Sequence, residues 1–461
     1  MYSFLLPFVS VAFMLFAAAE ILIPFLNRKR DLVNFYTFFL FGSMVYVGVS
    51  GFDSALNPRD FRGASEKSFL FLELGILLFY GVLSITYRSV GTFDGMARRW
   101  SRRIPAISRR NWLSFAIPCG AFFLLKLLVP YGFVFSYASA ILSQNALTIC
   151  AVLLFAAASK KRGSAIWPVF LLVFVVCLYY SVTGGAGRRR LVSCMAIFPA
   201  AYYWLRFRQP GDHLGSLNLA NFAQRITRTK SASRSAIVFR LSLVGVVIVL
   251  LLNGYSGTRY RFKAYSLERN FQYHMQSLVL IPKHMLRFPD TSQMLGQHAV
   301  RLSLTIIDSY YINPNDRFQI SHFHTPFFVA ANPIPRSQWP KRWPDKPESL
   351  GNTYPRDAGY WSRGYVNVGP GIVGQCFHEG GWHILLIYGM IAGISLRFLD
   401  QLLIHENSRG LMAALLAASA GPLMGMSRGC IAVFSVEFVA SIATLVLVWM
   451  LGVFIQRVFP G

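Results

Sequence analysis

Long apolar runs alternate with short polar stretches along this chain. A run of about 17–25 apolar residues is long enough to cross the hydrocarbon core of a bilayer as a helix. Such windows lie near residues 4–26, 33–52, 68–86, 112–133, 138–158, 164–182, 191–207, 236–256, 380–398, 410–427 and 430–455. The pattern predicts an all-α polytopic membrane protein with about 11 transmembrane helices.

The short polar stretches predict an orientation, because Lys and Arg collect in cytoplasmic loops. If the basic stretch 27–31 is cytoplasmic, alternation also places the basic stretches 87–111, 159–163 and 206–235 there. The N-terminus is then outside the cytoplasm and the C-terminus inside. The first apolar run has basic residues after it and none before it, which favours a retained helix over a cleaved signal peptide.

Composition supports a membrane protein and limits other classes. Of the 461 residues, 54% are hydrophobic and 14% are charged, and the net charge is +26. Topology accounts for that excess of basic residues, so we expect no nucleic-acid partner. The six cysteines form no CxxC pair, and five of them lie in or beside apolar runs, so neither a disulfide framework nor a zinc site is predicted.

The predicted orientation divides the chain into three parts. Residues 1–256 hold transmembrane helices 1–8, residues 257–379 form a large external loop, and residues 380–461 hold helices 9–11. The loop is rich in aromatic residues and has a Pro-rich stretch from 333 to 347, so we expect short packed helices rather than a disordered linker.

Arginines mark three places where the chain meets the predicted outer membrane boundary. They lie in "SVTGGAGRRRLVS" (181–193), "GYSGTRYRFK" (254–263) and "MSRGC" (426–430). Arginine is suited to forked recognition of phosphate or carboxylate, and glycines let backbone amides approach such a ligand. An anionic substrate is one interpretation. Solvated surface charge, or a tight hairpin whose arginines reach lipid headgroups, is the other.

The stretch "FHEGGWHILLIYGMIAG" (377–393) places titratable groups at the start of a predicted transmembrane helix. His378 and His383 would point about 140° apart on a helix, which disfavours a metal site. A catalytic base is one remaining interpretation. The other is that His378 and Glu379 cap the following helix, where an acidic side chain is favourable.

This stretch resembles the segment after the large external loop in bacterial oligosaccharide repeat-unit polymerases of the Wzy type and in O-antigen ligases. His378 matches the histidine of that family, and Gly389 and Gly393 match its late glycines, whereas Glu379 departs from the asparagine of the ligases. "NPIPRSQWPKRWPDKP" (332–347) is similar to a loop of the polymerases, and "TGGAGRRR" and "SRG" are similar to their arginine-bearing turns.

The resemblance implies a helical C-type membrane glycosyltransferase of the bacterial inner membrane. It implies action on the periplasmic face, on oligosaccharides carried by undecaprenyl diphosphate, without a metal or other cofactor. A chain-length regulator and a flippase are the further partners it suggests, beside the lipid bilayer. An O-antigen ligase and a lipid or polysaccharide transporter are the alternatives, although the chain shows no repeated halves of the kind that transporters carry.

The resemblance also suggests roles for particular residues. We expect His378, with Glu379 as its rival, to activate the acceptor hydroxyl. We expect the substrate to be bound by Arg188, Arg189, Arg259, Arg336, Arg356, Arg363 and Arg428, of which Arg336 and Arg356 bind either diphosphate or an acidic sugar. Sugar rings would stack on Tyr360, Trp361 and Trp382.

Overall fold

The structure is a computed structural model. It describes residues 4–27, 29–56, 65–89, 91–104, 111–128, 136–159, 166–183, 188–207, 271–285, 297–314, 320–351, 353 and 369–459, with isolated positions between 239 and 258.

The described residues form helices and connecting turns, with no strand among them. The α-helices are α1 (Leu6–Leu26), α2 (Phe35–Ser43), α3 (Ser50–Leu56), α4 (Glu66–Ser89), α5 (Thr92–Ser101), α6 (Trp112–Leu128), α7 (Ser136–Ser159), α8 (Ile166–Thr183), α9 (Arg188–Met195), α10 (Ile197–Ala201), α11 (Phe271–Met285), α12 (Gln297–Ile307), α13 (His324–Ala331), α14 (Gly371–Glu379), α15 (Trp382–Ile404), α16 (Glu406–Gly425) and α17 (Ile431–Val458). Shorter π-helical segments are Met44–Val49, Tyr202–Phe207 and Asp308–Ile312, and Arg336–Gln338 is a 3₁₀ turn.

Six helical segments are long and apolar enough to cross a membrane. They are Leu6–Leu26, Phe35–Ser54, Glu66–Ser89, Ile141–Ala158, Trp382–Ile404 and Ile431–Val458. Each overlaps a predicted window, so the helical membrane class is confirmed. Shorter apolar helices, Trp112–Leu124 and Ile166–Val182, lie in two further windows. The count of 11 spans stays a prediction.

The predicted window 410–427 corresponds to α16, which is enclosed by the rest of the bundle. Every residue from Ser408 to Leu423 is buried, so the helix is covered on all sides. A helix that is apolar and covered all round is a core helix. Its small residues allow close packing: the backbone of Arg189 on α9 approaches Gly421 so tightly that a Cβ there would lie 1.9 Å from the Arg189 carbonyl oxygen.

Helices α4 and α15 pack along a second small-residue seam. A Cβ on Gly389 would lie 3.1 Å from the Phe79 carbonyl oxygen, and one on Gly393 would lie 2.8 Å from that of Leu83. Glycines spaced four residues apart let two helix backbones approach closely. The two glycines that match the family pattern therefore have a packing role in this structure.

Buried carboxyl groups join several helices at the end of the bundle that is predicted to be cytoplasmic. Glu20 on α1 pairs with Arg30 and with Arg88 at the end of α4. Asp400 on α15 accepts hydrogen bonds from the Phe35 amide at 2.8 Å and from the Tyr87 hydroxyl at 2.7 Å. These contacts fix the relative positions of α1, α2, α4 and α15.

Candidate functional site

The "FHEGGWH" stretch is the junction between two helices. Helix α14 ends at Glu379, and α15 begins at Trp382. Between them Gly380 has φ 144° and Gly381 has φ 69°, conformations that side-chain-bearing residues rarely adopt. His378 and Glu379 are thus the last residues of α14. The alternative interpretation, that they cap the following helix, is wrong, because the N-cap of α15 is Gly381 and no side chain forms a capping hydrogen bond there.

Glu379 is completely buried at this junction, with an exposed fraction of 0%. Its Oε1 accepts hydrogen bonds from the Thr325 hydroxyl at 2.6 Å and from the Gln375 amide at 2.7 Å. Its Oε2 accepts a hydrogen bond from the Tyr388 hydroxyl. Three donors from α13, α14 and α15 therefore meet on one carboxyl group, which joins the three helices.

His378 lies beside this carboxyl group and is 8% exposed. Its Nδ1 is 2.9 Å from the hydroxyl of Tyr310, and the ring of His324 lies edge-on to it with centroids 6.0 Å apart. Burial, together with the charge of the nearby His324, lowers the pKa of His378 from its usual 6.5 to about 4. The imidazole is therefore neutral at physiological pH and able to accept a proton.

The carbonyl groups at the end of α14 are bound by segments from the predicted external loop. The Tyr311 hydroxyl donates to the Phe377 oxygen at 2.7 Å, and the Ser321 amide donates to the His378 oxygen at 3.2 Å. His322 Nδ1 lies 3.2 Å from the Glu379 oxygen. Such carbonyls have no partner within their own helix, so these bonds hold the loop over the junction.

The opposite end of α14 lies against the turn that carries Arg428. A Cβ on Gly371 would be 3.0 Å from the Ser427 carbonyl oxygen, and one on Gly369 would be 1.8 Å from the Cys430 amide nitrogen. The guanidinium of Arg428 lies over the ring of Tyr46, 5.4 Å from its centroid. The turn that carries Arg428 thus lies against the N-terminus of α14, which is the positive end of the helix dipole.

Arg189 lies on the other side of the same turn and is paired. Its Nη1 is 2.8 Å from Oε1 of Glu437, which is only 2% exposed. Its guanidinium also covers the ring of Phe434 at 4.9 Å, and that ring contacts Gly425 and Gly429. The charge of Arg189 is therefore engaged by a buried carboxyl group of α17.

A small cavity of about 30 Å³ lies between α14, α4, α12 and the segment 46–51. Tyr46, Tyr80, Ser303, Gly371 and Ser427 line part of it. This volume suits about two water molecules and is too small for a sugar ring.

The remaining predicted site residues are placed as follows. Arg336 is exposed and pairs with Glu348. Trp382 packs edge-on against Phe377, with centroids 4.9 Å apart, and beside Phe71. Helix α9 begins at Arg188, whose side chain lies outside the described part of the chain. Outside it altogether lie Arg259, Arg356, Tyr360, Trp361 and Arg363.

The structure adds partners that the sequence argument missed, chiefly Tyr310, His324 and Thr325. All three lie in the predicted external loop, in "DSYYI" and "HFHTP", where closely spaced aromatic and histidine residues were the available indication. In the described part of the chain, no three His, Cys, Asp or Glu residues lie close enough together to hold a metal ion.

Comparisons of the chain with models of protein families, with curated proteins and with solved structures found no match. The resemblance to repeat-unit polymerases therefore rests on the short motifs alone, and the function that it implies stays a prediction.

Proposed function

We propose that the protein is a membrane glycosyltransferase that polymerises oligosaccharide repeat units carried on a lipid diphosphate, undecaprenyl diphosphate in bacteria. The proposal rests on the presence of an arginine at one end of α14 and of a neutral histidine at the other end. The turn that carries Arg428 lies against the first turn of α14, and the neutral His378 lies in its last turn. Seven helical steps separate Gly371 from His378, which corresponds to about 10 Å.

In this proposal the Arg428 end of α14 holds the anionic leaving group. A diphosphate gains negative charge as its bond to the sugar breaks, and a preformed cation beside a helix N-terminus stabilises that charge. Arg188, Arg259, Arg356 and Arg363 are further candidates for the same task. Arg189 is the weaker candidate because Glu437 already engages its charge.

His378 serves as the base in the proposed reaction. The acceptor hydroxyl oxygen of a new repeat unit attacks the anomeric carbon of the growing glycan. The carbon–oxygen bond to the diphosphate breaks, the lipid diphosphate leaves with the electron pair, and His378 takes the hydroxyl proton. The proton would go to Nε2, which requires the tautomer in which Nδ1 carries the ring hydrogen and donates it to the Tyr310 hydroxyl oxygen.

Glu379 has a positioning role in this scheme. Its two oxygens are already occupied by donors from Thr325, Gln375 and Tyr388, so it holds His378 and the loop in place rather than contacting substrate. Trp382 and Arg336 line neighbouring surfaces, where stacking on sugar and binding of an acidic group stay predictions.

The test uses the purified full chain in lipid nanodiscs, supplied with a repeat unit on undecaprenyl diphosphate and analysed on a gel. A ladder of products supports the polymerase, and a single shift on a separate lipid acceptor supports a ligase instead. Absence of any glycosyl transfer overturns the proposal and favours a transporter. In the same assay His378→Ala should abolish the ladder, whereas His383→Ala, at an exposed position five residues on, should not.

A further inference from the structure

Helix α5 lies at the end of the bundle that is predicted to be cytoplasmic. One face of this helix packs against the bundle. It follows α4 after a short turn at Gly91. Asp94 accepts two hydrogen bonds from Arg397 of α15, at 3.1 Å and 2.7 Å. Ala97 is 0% exposed and Ser101 is 3% exposed. These residues recur at helical spacing, so a single stripe of α5 is buried.

The opposite face of α5 is exposed and combines apolar and cationic side chains. Met96 is 40% exposed and Trp100 is 55% exposed, although both are large and apolar. Arg99 and Arg103 are exposed as well. At 100° per residue Met96, Arg99 and Trp100 cover an arc of about 100° on α5, centred about 140° from the buried stripe, and Arg103 follows in the turn after the helix.

The height of α5 along the bundle matches a membrane surface. It begins where the apolar span Glu66–Ser89 ends, and its partner Arg397 lies about 10 Å from the nearby end of the span Trp382–Ile404. Apolar side chains of α4 are exposed close by, with Ile85 at 66%. Exposed apolar surface that a bilayer would cover therefore lies on the last turns of α4, directly before α5 in the chain.

We propose that α5 is an interfacial anchor that binds the headgroups of anionic glycerophospholipids in that leaflet. Trp100 and Met96 insert at the boundary between headgroups and acyl chains, a position that amphipathic aromatic and apolar residues occupy in such helices. Arg99 and Arg103 bind the phosphates. The one acidic residue of α5, Asp94, is directed to Arg397, so it does not oppose an anionic surface.

Charge complementarity selects this partner over a neutral surface. Arg99 near the end of α5 and Arg103 in the turn after it are both exposed, and both are among the residues of the outward face. Each basic residue at an anionic membrane surface contributes about fivefold to binding. The anchor would hold the predicted cytoplasmic ends of α4 and α15 at a fixed depth in the membrane. This role does not depend on the reaction proposed for the opposite end of the bundle.

Depth-dependent fluorescence quenching tests the insertion. The full chain carries six native cysteines, all buried, so a single introduced cysteine can be labelled selectively. Trp100→Cys and Arg98→Cys are each labelled with a fluorophore and placed in nanodiscs whose lipids carry a headgroup quencher. Position 98 lies on α5 about 160° around the helix from position 100. We expect at least twofold stronger quenching at position 100, and equal quenching at both positions would overturn the proposal.

Lipid selectivity is tested by thermal unfolding of the full chain in neutral detergent during titration with phosphatidylglycerol or phosphatidylcholine. We expect phosphatidylglycerol to raise the midpoint more than phosphatidylcholine. Replacing Arg99 and Arg103 by Ala should raise the phosphatidylglycerol concentration required for half of the effect by about fivefold per arginine. The matched control, Lys341→Ala with Arg342→Ala, removes two exposed charges elsewhere. The same loss in both double variants would contradict a site on α5.

Discussion

The Tyr388 hydroxyl on α15 donates a hydrogen bond to Glu379 on α14, across the two glycines that separate the helices. This hydrogen bond fixes the position of α15 relative to α14 at the junction between the two helices. Because Thr325 donates to the same carboxyl group, Glu379 also fixes the position of α13. His378 lies one residue before Glu379, so the hydrogen bonds of the Glu379 carboxyl group also fix the position of the imidazole, although the imidazole takes no part in them.

Replacing Glu379 by Ala should destabilise the protein strongly. The change leaves three buried donors, on Thr325, Gln375 and Tyr388, without their acceptor, and it opens a cavity. Each stranded donor costs about 1–3 kcal/mol, so we expect a loss of at least about 3 kcal/mol and a lower thermal midpoint. Glu348→Ala, which removes an exposed ion pair with Arg336, should cost less than about 1 kcal/mol.

Glu379→Gln distinguishes a positioning role from that of a base. An amide cannot take up the proton, but it can keep three hydrogen bonds. Its NH2 group, in place of Oε1, would donate to the Thr325 hydroxyl oxygen and, once the Gln375 amide turns, to Oε1 of Gln375, which is buried without a hydrogen-bond partner. Its carbonyl oxygen would still accept from Tyr388. We expect the Gln variant to retain most of the polymer-forming rate and of the stability. A correctly folded Gln variant that forms no polymer would make Glu379 the base instead.

The helical membrane class was predictable from the sequence because its cause is local. Apolar runs such as 4–26 and 430–455 are recognisable without any knowledge of partners, and they coincide with α1 and α17. The break at Gly380 and Gly381 was also foreseeable, because two consecutive glycines disfavour a helix. Its consequence was not: His378 and Glu379 belong to the helix before the break, which only the course of the chain around α14 determines.

The partners of the candidate site were not predictable, since they come from distant parts of the chain. Thr325 lies 54 residues from Glu379, and Tyr310 lies 68 residues from His378. Composition also failed to distinguish α16 from the apolar helices at the outside of the bundle, because small apolar residues suit both a core helix and a membrane span.

The seam between α4 and α15 should not tolerate a methyl group at Gly393. A Cβ there would lie 2.8 Å from the Leu83 carbonyl oxygen, a backbone atom that cannot move away without separating the helices. We expect Gly393→Ala to lower stability by about 1–3 kcal/mol, measured by thermal unfolding in detergent. Gly81→Ala on α4 is the matched control, because nothing lies within 4 Å of its added Cβ. A neutral Gly393→Ala variant would contradict the close approach.

The ion pair between Arg189 and Glu437 should contribute to folding rather than to catalysis. Arg189→Met alone leaves the buried Glu437 carboxyl group without its cation, which costs about 3–5 kcal/mol. Adding Glu437→Met should restore the thermal midpoint, because a hydrophobic pair of similar volume replaces a buried ion pair at little cost. We expect the double variant to form polymer as well. A stable double variant without activity would instead assign Arg189 to the diphosphate.

Arg428→Ala is the complementary variant. The guanidinium contacts the Tyr46 ring and is partly exposed, so its removal should cost about 0.5–1 kcal/mol of stability. If the Arg428 end of α14 holds the leaving group, the same change should lower the polymerisation rate by at least about tenfold. An unchanged rate would separate Arg428 from the reaction.

Burial of His378 should make stability depend on pH in a defined window. Its pKa is about 4 in the folded protein and 6.5 in an unfolded chain, so the unfolded state binds the proton first as pH falls. The contribution of the neutral imidazole is complete above pH 6.5, declines as pH falls toward 4 and is lost below that value. The shift corresponds to about 3 kcal/mol at most. The thermal midpoint should therefore decrease as the pH is lowered from 7.5 to 4. His378→Gln should remove the part of this decrease that comes from the imidazole.

The same pKa makes a prediction about the reaction. Because His378 stays neutral from pH 8 down to about 5, the polymerisation rate should show no inflection near pH 6.5 from this residue. His383→Gln, at an exposed position, supplies the control for both measurements, and we expect it to retain the pH dependence of the unmodified chain. An inflection near pH 6.5 that is present in the unmodified chain and persists in His383→Gln would contradict the lowered pKa of His378.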